Sequence, residues 1–511
     1  VPLFVMFRML GIESDKDILK YICLNLENSL SERMMNFLIN SINDPIIVEE
    51  EIYDQQSAIN YLDNLTRKAK MEGDFSEIKK NNETRVAFLY DTLYENFIPH
   101  VGRDFSKKSY YLGYMTNKLI KFNLGLEEET NRDNFINKRI DLSGFLLASS
   151  FRNAVRELVR RVPINIGNIY TRVHTEFSGE NFINIINERN YLAEVFTPSK
   201  FKQHFIDPLK MGNIDIGMLG SKNNIVQAMN RISYFDDLSH LRRITDPAEN
   251  VAISRRRLHG TQYGCVCPVE TPEGGNVGLR KALSMMSQVS FGCKPDGLIE
   301  LIQDNNLIEL EDLKPEEIYK QTKVFVNGIW IGIHTEPSVL IDTLRTYRRC
   351  GLMNIYNSFL WNVEENEIIC NTDQGRFVRP LYIMKNNELL LQSGHVKKIK
   401  KQEYKWENLL IGFHKREDQF DYYASENKSY QVLNMNLKEI DDNDILKIIP
   451  IMKKKQAVIE FIDSEEFDTT MISPFPKPLV GKDINYTHLE LHPSLVFGTG
   501  AFMLPFIQNN Q

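Results

Sequence analysis

No window of this 511-residue sequence approaches the ~18 consecutive apolar residues of a membrane helix, so no membrane span is expected within it. Cysteine is sparse. The six, Cys23, Cys265, Cys267, Cys293, Cys350 and Cys370, are too few for a disulfide framework in a chain this long, and they favour a reducing compartment. Glycine (27) and proline (19) are too scarce for a collagen-like or low-complexity chain. There is no phosphate-cradling P-loop, no dinucleotide fingerprint and no Ser–His–Asp arrangement. Positive charge is not in excess either. A formal net charge of −7 excludes a small, wholly basic nucleic-acid binder but leaves room for local basic surfaces, which are what phosphates feel. The opening Val-Pro-Leu-Phe-Val-Met-Phe lacks an initiator Met and a basic flank. It is too short for a signal peptide and reads as a strand cut from a longer chain.

What is present is an ordinary globular composition, 42% hydrophobic and 25% charged. At roughly 100–200 residues per domain the length implies three to five units. Residues 13–160 read as mainly helical. Ser14 caps a helix running through Tyr21-Ile22, and Tyr110–Phe122 and Leu142–Leu158 carry amphipathic spacing. From about 165 to 235 the pattern is mixed and rich in Asn and Ile, and from 236 to 292 Gly, Pro and Arg become dense. From 323 to 385 it turns to strands. Val324–Val326, Asn327-Gly328 and Ile329–Ile331 spell a hairpin, because Asn-Gly accepts the positive φ that tight turns demand. Ser338–Tyr347 reads as a helix capped by Ser338, and Phe377–Ile383 as a strand. Residues 395–470 read as a charged, solvated face or exposed loops. Past Pro474, Pro476 and Pro478 the chain becomes apolar and Gly-rich.

Three constellations carry possible chemistry. Between 242 and 257 five arginines, Arg242, Arg243, Arg255, Arg256 and Arg257, stand against Asp246 and Glu249, a local balance of +3. Two arginine clusters flanking a loop suit a phosphate backbone, since guanidinium forks onto phosphate oxygens. Salt bridges to the acidic rest of the chain would use the same residues. In Pro268-Val-Glu270-Thr271-Pro272-Glu273-Gly274-Gly275, prolines and glycines set a rigid turn. Its two carboxylates suit acid–base work, or a structural pairing with an arginine. Finally, His488, Glu490 and His492 alternate onto one face of a strand, and His259 lies near Cys265 and Cys267. Either set offers metal-ligating types, but neither has the spacing of a closed zinc site. A half-buried strand explains the first set equally well.

At these residues the sequence resembles the second-largest subunit of multisubunit DNA-directed RNA polymerase. LSHLRR and RRRLHGTQYGCVCPVETPEGGNVGLRKALSMMS, within Phe235–Gly292, resemble its fork. YTHLELHPSLVFGTGAFMLPFIQNNQ resembles the start of its hybrid-binding region. FVMFRMLGIESDKDI, YYLGYMTNKLI and RDNFINKRIDLSG resemble its lobe, and VFVNGIWIGIH, LRTYRRCG and GRFVRPLYI its first external domain. The matches are collinear over nearly the whole chain, with the eukaryotic nuclear form or a large-DNA-virus homologue fitting best.

The resemblance implies an α+β multidomain fold. Its parts are a helix-rich lobe (1–165, its N-terminal part missing), the second part of a protrusion (166–225) and a fork (226–292). Two β-rich external domains (293–385 and 386–480) and the truncated start of a hybrid-binding domain (481–511) follow. It implies a role in shaping the DNA cleft for template-directed RNA synthesis, with no catalytic residue in this chain and none of its activity in isolation. The metal-binding aspartates would belong to the largest subunit, which would hold Mg2+, and no zinc is expected in this portion. Arg242, Arg243, Arg255, Arg256, Arg257, Glu273 and Gln511 match positions near nucleic acid or the active centre. The implied partners are the largest and smaller subunits, template DNA, the RNA–DNA hybrid and nucleoside triphosphates. The implied location is the nucleus, or a viral factory or virion. Two other readings stand beside it: a polymerase-derived scaffold that binds nucleic acid without catalysis, and a metal hydrolase built on His488, Glu490 and His492.

Overall fold

The computed structural model describes residues 1–71, 82–174, 196, 198–212, 214–215, 221–222, 225–246, 253–411, 456–476 and 484–507. Gln511 and most of the charged 395–470 stretch lie outside them.

Helical spacing of apolar residues dominates the first third of the chain. It forms helices Leu3–Met9, Asp15–Cys23, Ser29–Ile42, Pro45–Glu49, Gln55–Met71, Asn82–Glu95, Phe105–Asn123 and Ser143–His174. Asn28, Asp44 and Asp104 accept backbone N–H bonds as N-caps. Ser14 occupies its expected N-cap position but makes no side-chain cap bond. The opening segment is a helix, not the expected strand: Phe4, Val5, Phe7 and Met9 are all buried in one core with Ile18, Ile22, Met34 and Leu38. A short, wholly apolar run carries no alternation, so periodicity cannot separate a buried helix from a strand. Gly113 lets two of these helices touch, since a Cβ there would lie 2.3 Å from the Tyr21 carbonyl oxygen. Fully buried Lys108 donates to the carbonyls of Leu93, Tyr94 and Phe97 at 2.7, 3.1 and 2.7 Å, satisfying the end of Asn82–Glu95.

The strands, in chain order, are β1 (Ile214–Asp215), β2 (Ser221–Lys222), β3 (Arg243–Thr245), β4 (Arg280–Ala282), β5 (Gln288–Val289), β6 (Ile308–Glu309), β7 (Thr322–Val326) and β8 (Ile329–His334). They continue with β9 (Ser358–Asn362), β10 (Glu367–Asn371), β11 (Phe377–Lys385), β12 (Glu388–Leu389), β13 (Ile459–Asp463), β14 (Ile472–Ser473) and β15 (His488–Leu489). One sheet has the order β6-β8-β7-β10-β9 and is covered by helices Asp296–Asp304 and Pro337–Cys350, with Ile302, Val324, Val326, Leu344, Phe359 and Ile368 in its core. Its β7–β8 hairpin turns at Asn327 (φ +49°) and Gly328 (φ +81°), as the sequence requires. Helix Pro337–Cys350 starts earlier than expected: Glu336 is the N-cap and Pro337 the first residue, so Ser338 lies inside it.

The second sheet is organised by β11, which pairs with β12, β13, β15 and β5. Thus β11 does not join the β6–β10 sheet that precedes it. Within the charged stretch, β13 is buried at every position and so is not part of a solvated face. Its glutamate and aspartate meet arginines from distant segments, which composition does not reveal. The exposed lysine helix Ser393–Lys400 does fit the expected solvated face. The helical part and the first sheet share an aromatic seam. Tyr110 donates to the Leu313 carbonyl at 2.7 Å and meets Trp330 edge-on, and Tyr114 lies 5.2 Å from Phe325. The architecture is a mixture of helices and mixed sheets, an α+β arrangement.

Candidate nucleic-acid interface

The arginine-rich segment is built around helix Tyr234–Leu241. Ser233 caps it, accepting from the Asp236 N–H at 3.2 Å, and Asp236 and Asp237 sit in its first turn. The chain then runs into β3, which pairs antiparallel with β4 (Arg243 opposite Ala282, Thr245 opposite Arg280). The two arginine clusters therefore have different environments.

Arg242 points inward. Its guanidinium donates to the carbonyls of Ser284 at 2.7 Å, Met285 at 3.3 Å and Ser287 at 2.9 Å. Burial lowers its pKa from the ordinary arginine value, and the Glu270 charge opposes that shift. Arg243 lies 3.9 Å from Asp236. In the second cluster Arg255 pairs with Asp246 at 2.6 Å. Arg256 donates to the carbonyls of Gly275 at 2.7 Å and Val277 at 3.0 Å. Arg257 is exposed, and its side chain has no hydrogen bond or ion pair among the described residues.

The Pro268–Gly278 turn and the second arginine cluster form one unit. Thr271 Oγ1 accepts from the Gly278 N–H at 2.9 Å and donates to the Arg280 carbonyl at 3.0 Å. Gly278 has φ +71°, and a Cβ there would fall 2.1 Å from the Arg256 carbonyl oxygen, so only glycine fits. Glu273, exposed at the turn, makes no cap bond. The carboxylate that is engaged is its neighbour Glu270, which accepts from Ser239 Oγ. The sequence offered Glu270, with Glu273, for acid–base work or a structural pairing with an arginine; its hydrogen-bond partner is instead Ser239, 31 residues away.

The metal-ligating types do not converge. Cys265 and Cys267 are buried free thiols, and burial raises that of Cys265 to about 11. His259 instead contacts Thr261 Oγ1 at 2.7 Å and Asn131 Nδ2 at 2.9 Å. His488 Nε2 lies 2.6 Å from Glu460, Glu490 pairs with Arg379 at 2.7 Å, and His492 contacts Ser494 Oγ at 2.5 Å. Among the described residues no group of three or more His, Cys, Asp or Glu is placed to hold a metal ion. The three residues of the hydrolase reading therefore face three different partners.

The densest electrostatics lies where sequence reasoning assigned no role. Arg348, 2% exposed, reaches Glu466 at 2.7 Å, Glu460 at 2.8 Å and the Asn357 carbonyl at 2.7 Å. Burial alone would lower its pKa, but Glu466 and Glu460 outweigh that and raise it. Arg349 pairs with Glu460 at 2.5 Å, and Arg376 with Asp463 at 2.7 Å. This network ties helix Pro337–Cys350 and Arg376, just before β11, to β13 and the helical turn Ser464–Phe467 that follows it. The motifs LRTYRRCG and GRFVRPLYI hold the arginines, but their carboxylate partners are about 90–120 residues distant.

Residues 1–141 match the family RNA polymerase Rpb2, domain 2; residues 227–289 match RNA polymerase Rpb2, domain 3; residues 324–385 match RNA polymerase Rpb2, domain 4. The whole chain aligns with the DNA-directed RNA polymerase II subunit RPB2 of Encephalitozoon cuniculi at 31% identity, over 39% of that protein. It aligns equally fully with the DNA-directed RNA polymerase II subunit 2 of Arabidopsis thaliana (30%, over 38% of that protein). The DNA-directed RNA polymerase subunit Rpo2 of Sulfolobus acidocaldarius is similar at 26%, over 39% of its length. The chain thus spans about two fifths of the curated relatives it matches. Three Rpb2 domains in their numbered order, within an alignment that covers every residue, mean that the chain belongs to the family of second-largest subunits of DNA-directed RNA polymerase.

Proposed function

We propose that this chain serves template-directed RNA synthesis as the fork-bearing part of a DNA-directed RNA polymerase, lining the DNA cleft beside the active centre. The observation that carries the proposal is the Arg255–Arg257 cluster, exposed at Arg255 and Arg257, fastened by Arg256 to the Pro268–Gly278 turn and ending in an Arg257 guanidinium without a hydrogen bond or ion pair among the described residues. A cation held on a rigid turn is preorganised for a phosphate oxygen. Arg242 and Arg243 support the fork from within: the first through three carbonyls, the second beside Asp236. By resemblance Glu273, in the fork, and Gln511, at the start of the hybrid-binding region, both lie near the active centre.

In this reading residues 1–165 are lobe, 166–225 protrusion, 226–292 fork, 293–385 and 386–480 external domains, and 481–511 the start of the hybrid-binding region. Its partners are the largest and smaller subunits, template DNA, the RNA–DNA hybrid and nucleoside triphosphates. Mg2+ acts in the assembled enzyme and is held mainly by the largest subunit; the described residues here offer no ligand set for it. Kinship with RNA polymerase II subunits favours the nucleus, and no described helix is long and apolar enough to cross a membrane.

The test is made on the subunit purified with its natural partners. Such an assembly extends RNA on a primed DNA template. Arg257→Ala reduces the slope of log affinity for DNA against log salt by about 0.9 for each phosphate that the guanidinium had neutralised. Arg256→Ala slows elongation per assembled molecule more than it lowers subunit yield. An unchanged salt slope for Arg257→Ala, with elongation unaffected in both variants, would refute the arginine assignment.

A further inference from the structure

Resting on the polymerase reading, we propose that Glu270 is a positioning residue that holds the Gly498-Thr499-Gly500 elbow against the fork helix Tyr234–Leu241, and so fixes where the chain runs through 501–507.

Three segments meet at this carboxylate. One Glu270 oxygen accepts from Ser239 Oγ on the fork helix. The other is buried without a hydrogen-bond donor among the described residues and lies against the elbow: a Cβ on Gly498 would come within 2.5 Å of it. A Cβ on Gly500 would lie 3.2 Å from the first oxygen, so the carboxylate fills the space that two side chains would need. The φ of Gly498 is −77°, which any residue adopts; space, not backbone conformation, demands glycine there. The elbow is anchored just before this point. The Met285 N–H donates to the Phe497 carbonyl at 2.8 Å, and Ser284 Oγ to that of Val496 at 2.8 Å. Beyond it Ala501 packs on Cys267 and Ala282.

A buried carboxylate oxygen without a donor costs stability, so folding alone gives no reason to keep it. Its shape gives one. It is the wedge between fork and elbow, and the Arg242 carbonyl and guanidinium contacts to 283–287 make that wedge continuous with the arginine segment. Packing is then what matters, and the isosteric amide should do nearly as well as the acid.

The experiment compares Glu270→Ala, Glu270→Gln, Gly498→Ala and the Glu270→Ala/Gly498→Ala double variant in the assembled polymerase. It reads the KM for the incoming nucleotide during single-nucleotide addition, and backbone amide exchange across 496–504. The β7–β8 hairpin serves as internal control for folding. Glu270→Ala is expected to raise both that KM and exchange at 499–502 about tenfold. Glu270→Gln restores both, and Gly498→Ala acts like Glu270→Ala because its Cβ displaces the carboxylate. The double variant is no worse than the worse single one. Unchanged KM or exchange in Glu270→Ala, failure of Gln to rescue, or multiplying single effects would overturn the assignment. A wild-type assembly that does not extend RNA would instead refute the polymerase reading, while exchange at the elbow still tests the wedge.

Discussion

Replacing Arg348 by methionine tests whether the buried ion network holds the sheet half of the molecule together. Methionine fills most of the arginine stem, so the cavity contribution is small. The electrostatic loss is tempered by the neighbours. Arg349 remains 2.5 Å from Glu460, and Arg345 Nε 3.3 Å from Glu466, so neither carboxylate is left alone. That places the loss near the lower edge for a broken buried pair, about 3 kcal/mol. The Asn357 carbonyl, which accepts from Arg348 at 2.7 Å, adds about 1 kcal/mol. At a urea dependence of about 2–3 kcal/mol per M, a total of about 4 kcal/mol lowers the midpoint by about 1.5 M. Tryptophan fluorescence reports it, since Trp330 and Trp361 lie in β8 and β9. Adding Glu466→Gln should recover part of the loss, and amide exchange in helix Asp15–Cys23 should not change. A midpoint shift under about 0.5 M would put Arg348 in the class of surface ion pairs and refute the reasoning.

Two further outcomes rest on single side chains. Burial raises the Glu465 carboxyl to about 7, with the Asp463 charge adding to that and Arg139 and the Asn371 amide opposing it. Between 4.5, its ordinary value, and about 7 the unfolded chain has lost a proton that the folded chain keeps. Stability is therefore greatest below that window and falls through it as pH rises, by up to about 3 kcal/mol. Glu465→Gln should flatten this dependence, and an unchanged pH profile of the urea midpoint would contradict it. Gly113→Ala drives a Cβ to 2.3 Å from the Tyr21 carbonyl oxygen, a clash worth about 2 kcal/mol that exceeds alanine's helix-propensity advantage of about 1. Its melting temperature should drop; a rise would mean that the two helices separate freely.

The features legible in the sequence are those whose physics is local. The β7–β8 hairpin was readable because Asn327 and Gly328 satisfy the turn's positive φ without help from elsewhere. Helix Phe105–Asn123 was readable from its spacing, and it extends past the expected Tyr110–Phe122 at both ends. The opening helix was not, because seven residues of nearly uniform apolarity carry no period. Nor was β13: Glu460 and Asp463 mark it as solvated until Arg348 and Arg376, far away in sequence, are brought against it.

The sequence by itself determined the family, since an ordered set of motifs survives as text, and with the family came the region proposed for nucleic-acid contacts. Only the tertiary structure decided which charges are free to make them. Arg242 and Arg257 are the same residue type within one segment. Yet one guanidinium is consumed by three backbone carbonyls and the other stands exposed. The reason is physical: a charge's role depends on which donors and acceptors the fold brings within about 3 Å of it, and that distance is not a property of the chain's order.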